Sequence, residues 1–160
     1  MTYKNVKYNE GQWFAIPLRN EGYALGIIVR GNYRVKGGLG YFFGPRYDYV
    51  PDDEEIWEKK PEEAILISQF GDLGIINSRW PLIQTTRPFH KEEWPIPKFG
   101  SANPLIPQKA FVREYQQDNS GKLQIIRETV VDAKEIVGMP IDSSMGGGSV
   151  EIHLTELLSS

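Results

Sequence analysis

Apolar and polar positions are patterned most regularly near the start of the chain. Gln12-Trp-Phe-Ala-Ile-Pro-Leu18 and Gly22-Tyr-Ala-Leu-Gly-Ile-Ile-Val-Arg30 are aromatic and β-branched runs. Polar Arg19, Asn20 and Glu21 separate them and end in Gly22, a residue that tolerates positive φ. The pattern predicts a β-hairpin. Phe14, Ile16 and Leu18 share one face of its first strand at period two, leaving Trp13 and Ala15 on the other. Asn32–Val35 and Leu39–Phe43 read as two further short strands around a flexible Lys36-Gly-Gly38. Pro51–Trp57 reads as the start of a short helix, because acids fill its first turn, where the positive end of the helix dipole favours them. Ala64–Phe70, an apolar run bounded by Pro61 and Gly71, has the length of a buried strand. Asp72–Asn77 and Trp80–Gln84 read as extended continuations.

Pro81 to Pro107 holds six of the eleven prolines. Each deletes a backbone donor, so the expectation is an extended loop wrapped over the body and pinned by Phe89, Trp94 and Phe99. Three aromatics in eleven residues argue against a disordered linker. Lys109–Tyr115 and Lys122–Arg127 flank Asp118-Asn-Ser-Gly121, a loop suited to a second hairpin. The polar segment Val131–Pro140 follows. At the end, Val150, Ile152 and Leu154 alternate as in a strand, while Leu154, Leu157 and Leu158 share a helical face. Ser149 as N-cap and the leucine spacing favour a helix.

At 160 residues the expectation is one domain, 1–160, able to bury roughly 70% of its unfolded surface without staples. No apolar run approaches the ~18 residues of a membrane span, and Met1–Lys7 lacks the apolar core of a signal peptide. With no cysteine there is no disulfide, thiolate nucleophile or sulfur-based zinc site, and a cytoplasmic location is the expectation. The net charge of −3 conceals an asymmetry. Residues 1–50 carry seven Lys or Arg against three acids, and residues 51–100 carry six against ten. Asp52, Asp53, Glu54 and Glu55 form the densest acidic run, which is either a solvated face or a patch that steers a basic partner.

Candidate chemistry is sparse. His90 and His153 have no second ligand at a recognisable spacing. Gly146-Gly-Gly-Ser149 lacks the lysine of a P-loop and reads as a flexible hinge. The carboxylates at 52–55 lack the spacing of a calcium loop. No cofactor, metal or catalytic residue is predicted. The rival signal is basic and aromatic: Tyr33, Arg34, Lys36, Tyr41, Phe42, Phe43, Arg46, Tyr47 and Tyr49 would suit single-stranded nucleic acid if they shared a surface. An acidic chain makes nucleic acid the weaker partner. A small-molecule hydrolase without a visible site is a further alternative.

The hairpin strings of Gln12–Arg30 resemble the opening of the immunity protein 26 family of bacterial polymorphic toxin systems. Gly71-Asp-Leu-Gly-Ile-Ile-Asn-Ser-Arg-Trp-Pro-Leu-Ile83 is similar to that family's central segment, where a short strand leads into an Arg-or-Lys, Trp, Pro turn. Tyr33–Tyr49 and residues 95–107 match least. The resemblance implies a non-enzymatic cytoplasmic protein that protects its own cell by binding a cognate toxin, often a nuclease. The expected fold is mainly β (α+β): a curved antiparallel sheet or small barrel, a C-terminal helix and a long proline-rich loop. The expected partner contacts are Asp52, Asp53, Glu54, Glu55, Arg79 and Trp80. Proline after Trp80 holds that residue extended, as a core anchor or as a surface recognition aromatic.

Overall fold

The computed structural model describes residues 6–159, so most of Met1–Lys7, the stretch without an apolar signal-peptide core, lies outside the described residues. Trp13–Pro17 (β1) and Tyr23–Asn32 (β2) form the first hairpin, in register from Trp13↔Ile27 to Pro17↔Tyr23. Gly22 closes it at φ 84°, accepting from the Leu18 N–H at 2.8 Å. A Cβ there would lie 2.5 Å from the Tyr47 carbonyl oxygen, so the turn requires glycine.

Of Asn32–Val35, where a strand is expected, only Asn32 is extended, as the end of β2, and residues 33–36 form a turn. The Asn32 side-chain oxygen accepts from the N–H groups of Arg34 and Val35, and Lys36 sits at φ 62°. That local bonding outcompetes a ladder. The chain returns as one long strand, Gly37–Tyr47 (β3). Asp53–Glu58 (α1) is the expected acidic helix: Asp52 caps it, and Glu55 reaches back to the Asp52 N–H in a capping box. Leu66–Gly71 (β4) follows. Asp72–Asn77 is not extended but folds into a one-turn helix, Leu73–Ile76 (α2). The cause is tertiary. A Cβ on Gly74 would meet the Trp80 ring at 2.6 Å, so the turn forms where the indole can lie flat on bare backbone.

The proline-rich stretch is the expected wrapped loop, with Trp94 and Phe99 fully buried and Phe89 packed beside them. It contains one short pair, Leu82–Ile83 (β5), and ends in Phe99–Ala102 (β6). Lys109–Gln117 (β7) and Leu123–Asp132 (β8) form the second hairpin. Ser144–Met145 (β9) and Gly147–Leu157 (α3) complete the chain. The helical reading of the C-terminus holds, but Gly146 is the N-cap and Ser149 lies inside the first turn. The triglycine is therefore a helix start rather than a hinge. Leu157 is exposed, and Val150, Glu151 and Leu154 face inward.

Two sheets result, one ordered β5-β1-β2-β3-β4-β9 and one β6-β7-β8. The larger ends at β5 and β9 and does not close into a barrel; β9 joins it parallel to β4. Both of its faces are covered. Phe14, Ile16, Ala24, Ile28, Phe42 and Phe70 meet Ile75, Trp80, Val150 and Leu154 on one side. Trp13, Leu25, Ile27, Leu39, Tyr41 and Phe43 meet Ile56, Trp94 and Phe99 on the other. Covering on both sides explains why β2 reads as a near-continuous apolar run.

Candidate partner-binding site

The α1 face is built from local bonding outward. Asp53 accepts from the Thr85 and Thr86 hydroxyls and from the Thr86 N–H, and these bonds, Thr85 first, hold its carboxyl below the usual range. Trp57 Nε1 donates to Thr86 Oγ1 at 2.9 Å, which locks the indole in place although half its surface stays open. Tyr49 donates to Glu55 at 3.0 Å and is 58% exposed. Asp52 and Glu55 share the capping box; Asp52 is pushed up by Glu55, and Glu55 is drawn down to about 2 by Asp52. Glu54 and Glu58 point into solvent. At the C-terminal end of α1, Arg87 lies 5.6 Å from the Trp13 ring centre and 5.5 Å from that of Trp94. Its Nη1 donates to the Ile56 and Lys59 carbonyls at 2.7 Å.

Arg79 and Trp80 belong to a different place. Trp80 is wholly buried, stacked on Phe14 at 5.6 Å and 2° between planes, so it is the core anchor and offers no face to a partner. Its Nε1 donates to Glu151 Oε2 at 2.8 Å. The other oxygen of Glu151 accepts from Arg79 Nη2 at 2.6 Å and Arg19 Nε at 2.8 Å. Arg79 is thus tied to an internal carboxylate, with 55% of its side chain still open. α1 packs on one face of the large sheet and Trp80 on the other, so the six expected contacts do not converge on one surface.

The basic-aromatic surface is likewise dispersed. Tyr41, Phe42 and Phe43 are core residues. Lys36 and Arg46 stand at opposite ends of β3, about 30 Å apart at ~3.3 Å per residue. Among the described residues no group of three His, Asp or Glu is placed to hold a metal ion, and no helix is long and apolar enough to cross a membrane.

The residues that sequence reasoning missed are Glu151, Arg19, Arg87 and Trp57; Tyr49 figures there only in the nucleic-acid reading. A Trp57 beside a buried Ile56 on an acidic helix was the available signal, since one of the two had to face outward. Glu151 carried no signal, because its partners lie 71 to 132 residues away.

A family model described as immunity protein 26 matches residues 9–110, from the approach to β1 through the start of β7. The chain belongs to that family. The match contains the α1 face, the Arg79-Trp80-Pro81 turn and five of the six strands of the large sheet. Among curated proteins and solved structures, nothing matches. The β7–β8 hairpin beyond its first residues, β9 and α3 lie outside the matched span.

Proposed function

We propose that this immunity-family protein neutralises a cognate toxin of a bacterial polymorphic toxin system in the cytoplasm, by stoichiometric binding and not by catalysis. Family membership carries the reading. The α1 face is the surface we assign to the toxin: Asp52, Asp53, Glu54 and Glu55 with the exposed rings of Tyr49 and Trp57. Tyrosine and tryptophan are frequent interface anchors because they bury much area at little entropic cost. A nuclease toxin must bind phosphate and tends to be basic, which suits an acidic inhibitor. Arg79, held by Glu151 on the far face, is not part of this surface.

The test is co-expression with the cognate toxin. Growth rescue and a one-to-one complex at micromolar concentrations are expected. Persistent toxicity with no complex would overturn the reading.

A further inference from the structure

Beside β4 lies an apolar slot of about 300 Å³, at the small end of ligand pockets (~300–1,000 Å³). One wall is Ala64–Ile67, and the other is Gly138–Ile141. Met145 of β9 and His153 of α3 close the end. The slot exists because two sheets compete for one segment. Gly100 of β6 donates to the Pro140 carbonyl and accepts from the Asp142 N–H, both at 2.8 Å. Asp142 is then pinned by Arg113 at 2.9 Å and by the Tyr115 hydroxyl. Gly138, at φ 83°, and Pro140, which has no N–H to give, keep the segment off β4. Among the described residues β9 reaches β4 only at Gln69 and Phe70, and Ser68 is buried with its hydroxyl on the Ser143 carbonyl at 3.2 Å, so the outer edge left without a strand is that of Leu66 and Ile67.

An unpaired strand edge next to apolar walls is the geometry by which folded domains take up an extended peptide as an added strand. Ile65 and Ile141, 38% and 63% exposed, flank it. Two of the chain's three methionines line it, giving walls that adapt to the side chains they receive. Glu62 and Glu63, both exposed, directly precede the Ala64 wall in the chain, Glu63 accepting from the Lys60 N–H, and among the described residues no lysine or arginine lines the slot.

We propose that this slot docks an extended, β-branched segment of a partner protein, with lysine or arginine at the end that meets Glu62 and Glu63. The segment adds beside β4 and seats alternate side chains between Ile65 and Ile141. The site is separate from the α1 face, so it stands whether or not that face binds a toxin.

The probe is the synthetic peptide acetyl-KKVTVI-amide, titrated into isotopically labelled full-length protein and followed by amide chemical shifts. Shifts confined to 64–68, 138–145 and the His153 turn are expected, with a dissociation constant of about 1 mM or tighter. Proline in place of the threonine removes a backbone donor, and glutamates in place of the lysines reverse the charge; each change should abolish binding. Ile141→Asp and Glu62→Lys, both at exposed positions, should weaken binding about tenfold or more while the melting temperature stays unchanged. No shifts at these residues would overturn the proposal. So would equal binding of a KKGSGS peptide, which would reduce the site to charge alone. Sedimentation showing a dimer that Ile141→Asp dissolves would assign the slot to a second copy of the chain and overturn it as well.

Discussion

Glu151 shows how one residue joins three distant parts of the chain. Its carboxylate is 2% exposed and is satisfied by Arg19, Arg79 and Trp80, so α3 is fixed to the first hairpin turn and to the Arg-Trp-Pro turn together. Removing it leaves two half-exposed guanidiniums, which water can solvate, and one buried indole N–H, which it cannot. The larger cost is therefore the stranded donor. Glu151→Ala should lower stability by about 2 kcal/mol in urea melts, and Glu151→Gln, which still accepts from Trp80, by clearly less. Arg79→Ala should cost under about 1 kcal/mol, since it strips one exposed partner and leaves the other two. Equal losses for Glu151→Ala and Arg79→Ala would contradict this ranking. Glu10 gives a pH-dependent counterpart. Burial raises its pKa, but bonds from Gln117, the Gly31 N–H and Lys91 outweigh that and bring it below its ordinary 4.5. A depressed carboxylate stabilises the fold above its unfolded value and loses that contribution as pH falls through the folded one. Thermal melts should thus decline as pH drops below about 4.5, and Glu10→Gln should flatten that acid limb.

At the scale of elements, α1 is too short to be stable alone and depends on its two ends. The capping box holds the first turn, and Arg87 holds the last carbonyls. Arg87→Met keeps apolar bulk between Trp13 and Trp94 but removes the donor. It should cost about 1.5–3 kcal/mol and speed amide exchange across Asp53–Glu58. Unchanged exchange there would mean that the capping box suffices. Only the N-terminal half of this arrangement was legible in the sequence. Asp52 and Glu55 are three residues apart and announce a helix start, whereas Arg87 acts from 28 and 31 residues away. The same division runs through the fold. The Gly22 turn, the Asp118–Gly121 loop and the alternation around Phe14 and Ile16 are local, and each reappears where the pattern put it. The α2 turn depends on Trp80, only six residues after Gly74 but anchored by Phe14 and Glu151 far along the chain. The approach to β9 is tied to distant Gly100, and Gly146 caps α3 with no side-chain bond to announce it. Trp80 itself was ambiguous because proline fixes its backbone and not the face its ring will take.

Across the whole molecule, the acidic middle of the chain keeps its excess of anions at the surface. Of the six cations among residues 51–100, Lys59 is buried against the Gly44 carbonyl, Arg79 pairs with Glu151 and Arg87 is held between two indoles, while Lys60, Lys91 and Lys98 are exposed. The carboxylates of Asp52, Glu54, Glu58, Glu62 and Glu63 remain outside. Around α1 the exposed Asp52, Glu54 and Glu58 outnumber the exposed Lys60, and the net negative field acts on the rate of encounter more than on the lifetime of a complex. Glu54 and Glu58 are the positions at which to test it, since neither side chain bonds to another of the described residues, whereas Asp52, Asp53 and Glu55 are structural as well as charged. With the cognate toxin in stopped-flow mixing, Glu54→Lys combined with Glu58→Lys should slow association about tenfold or more at low salt. The difference should shrink toward zero as the Debye length falls from ~30 Å at 0.01 M to ~3 Å at 1 M salt. Dissociation should change far less. Trp57→Ala should do the reverse, raising the dissociation rate at every salt concentration, because an aromatic anchor acts after contact is made. If the charge reversal leaves the low-salt association rate untouched, the toxin docks elsewhere on the molecule.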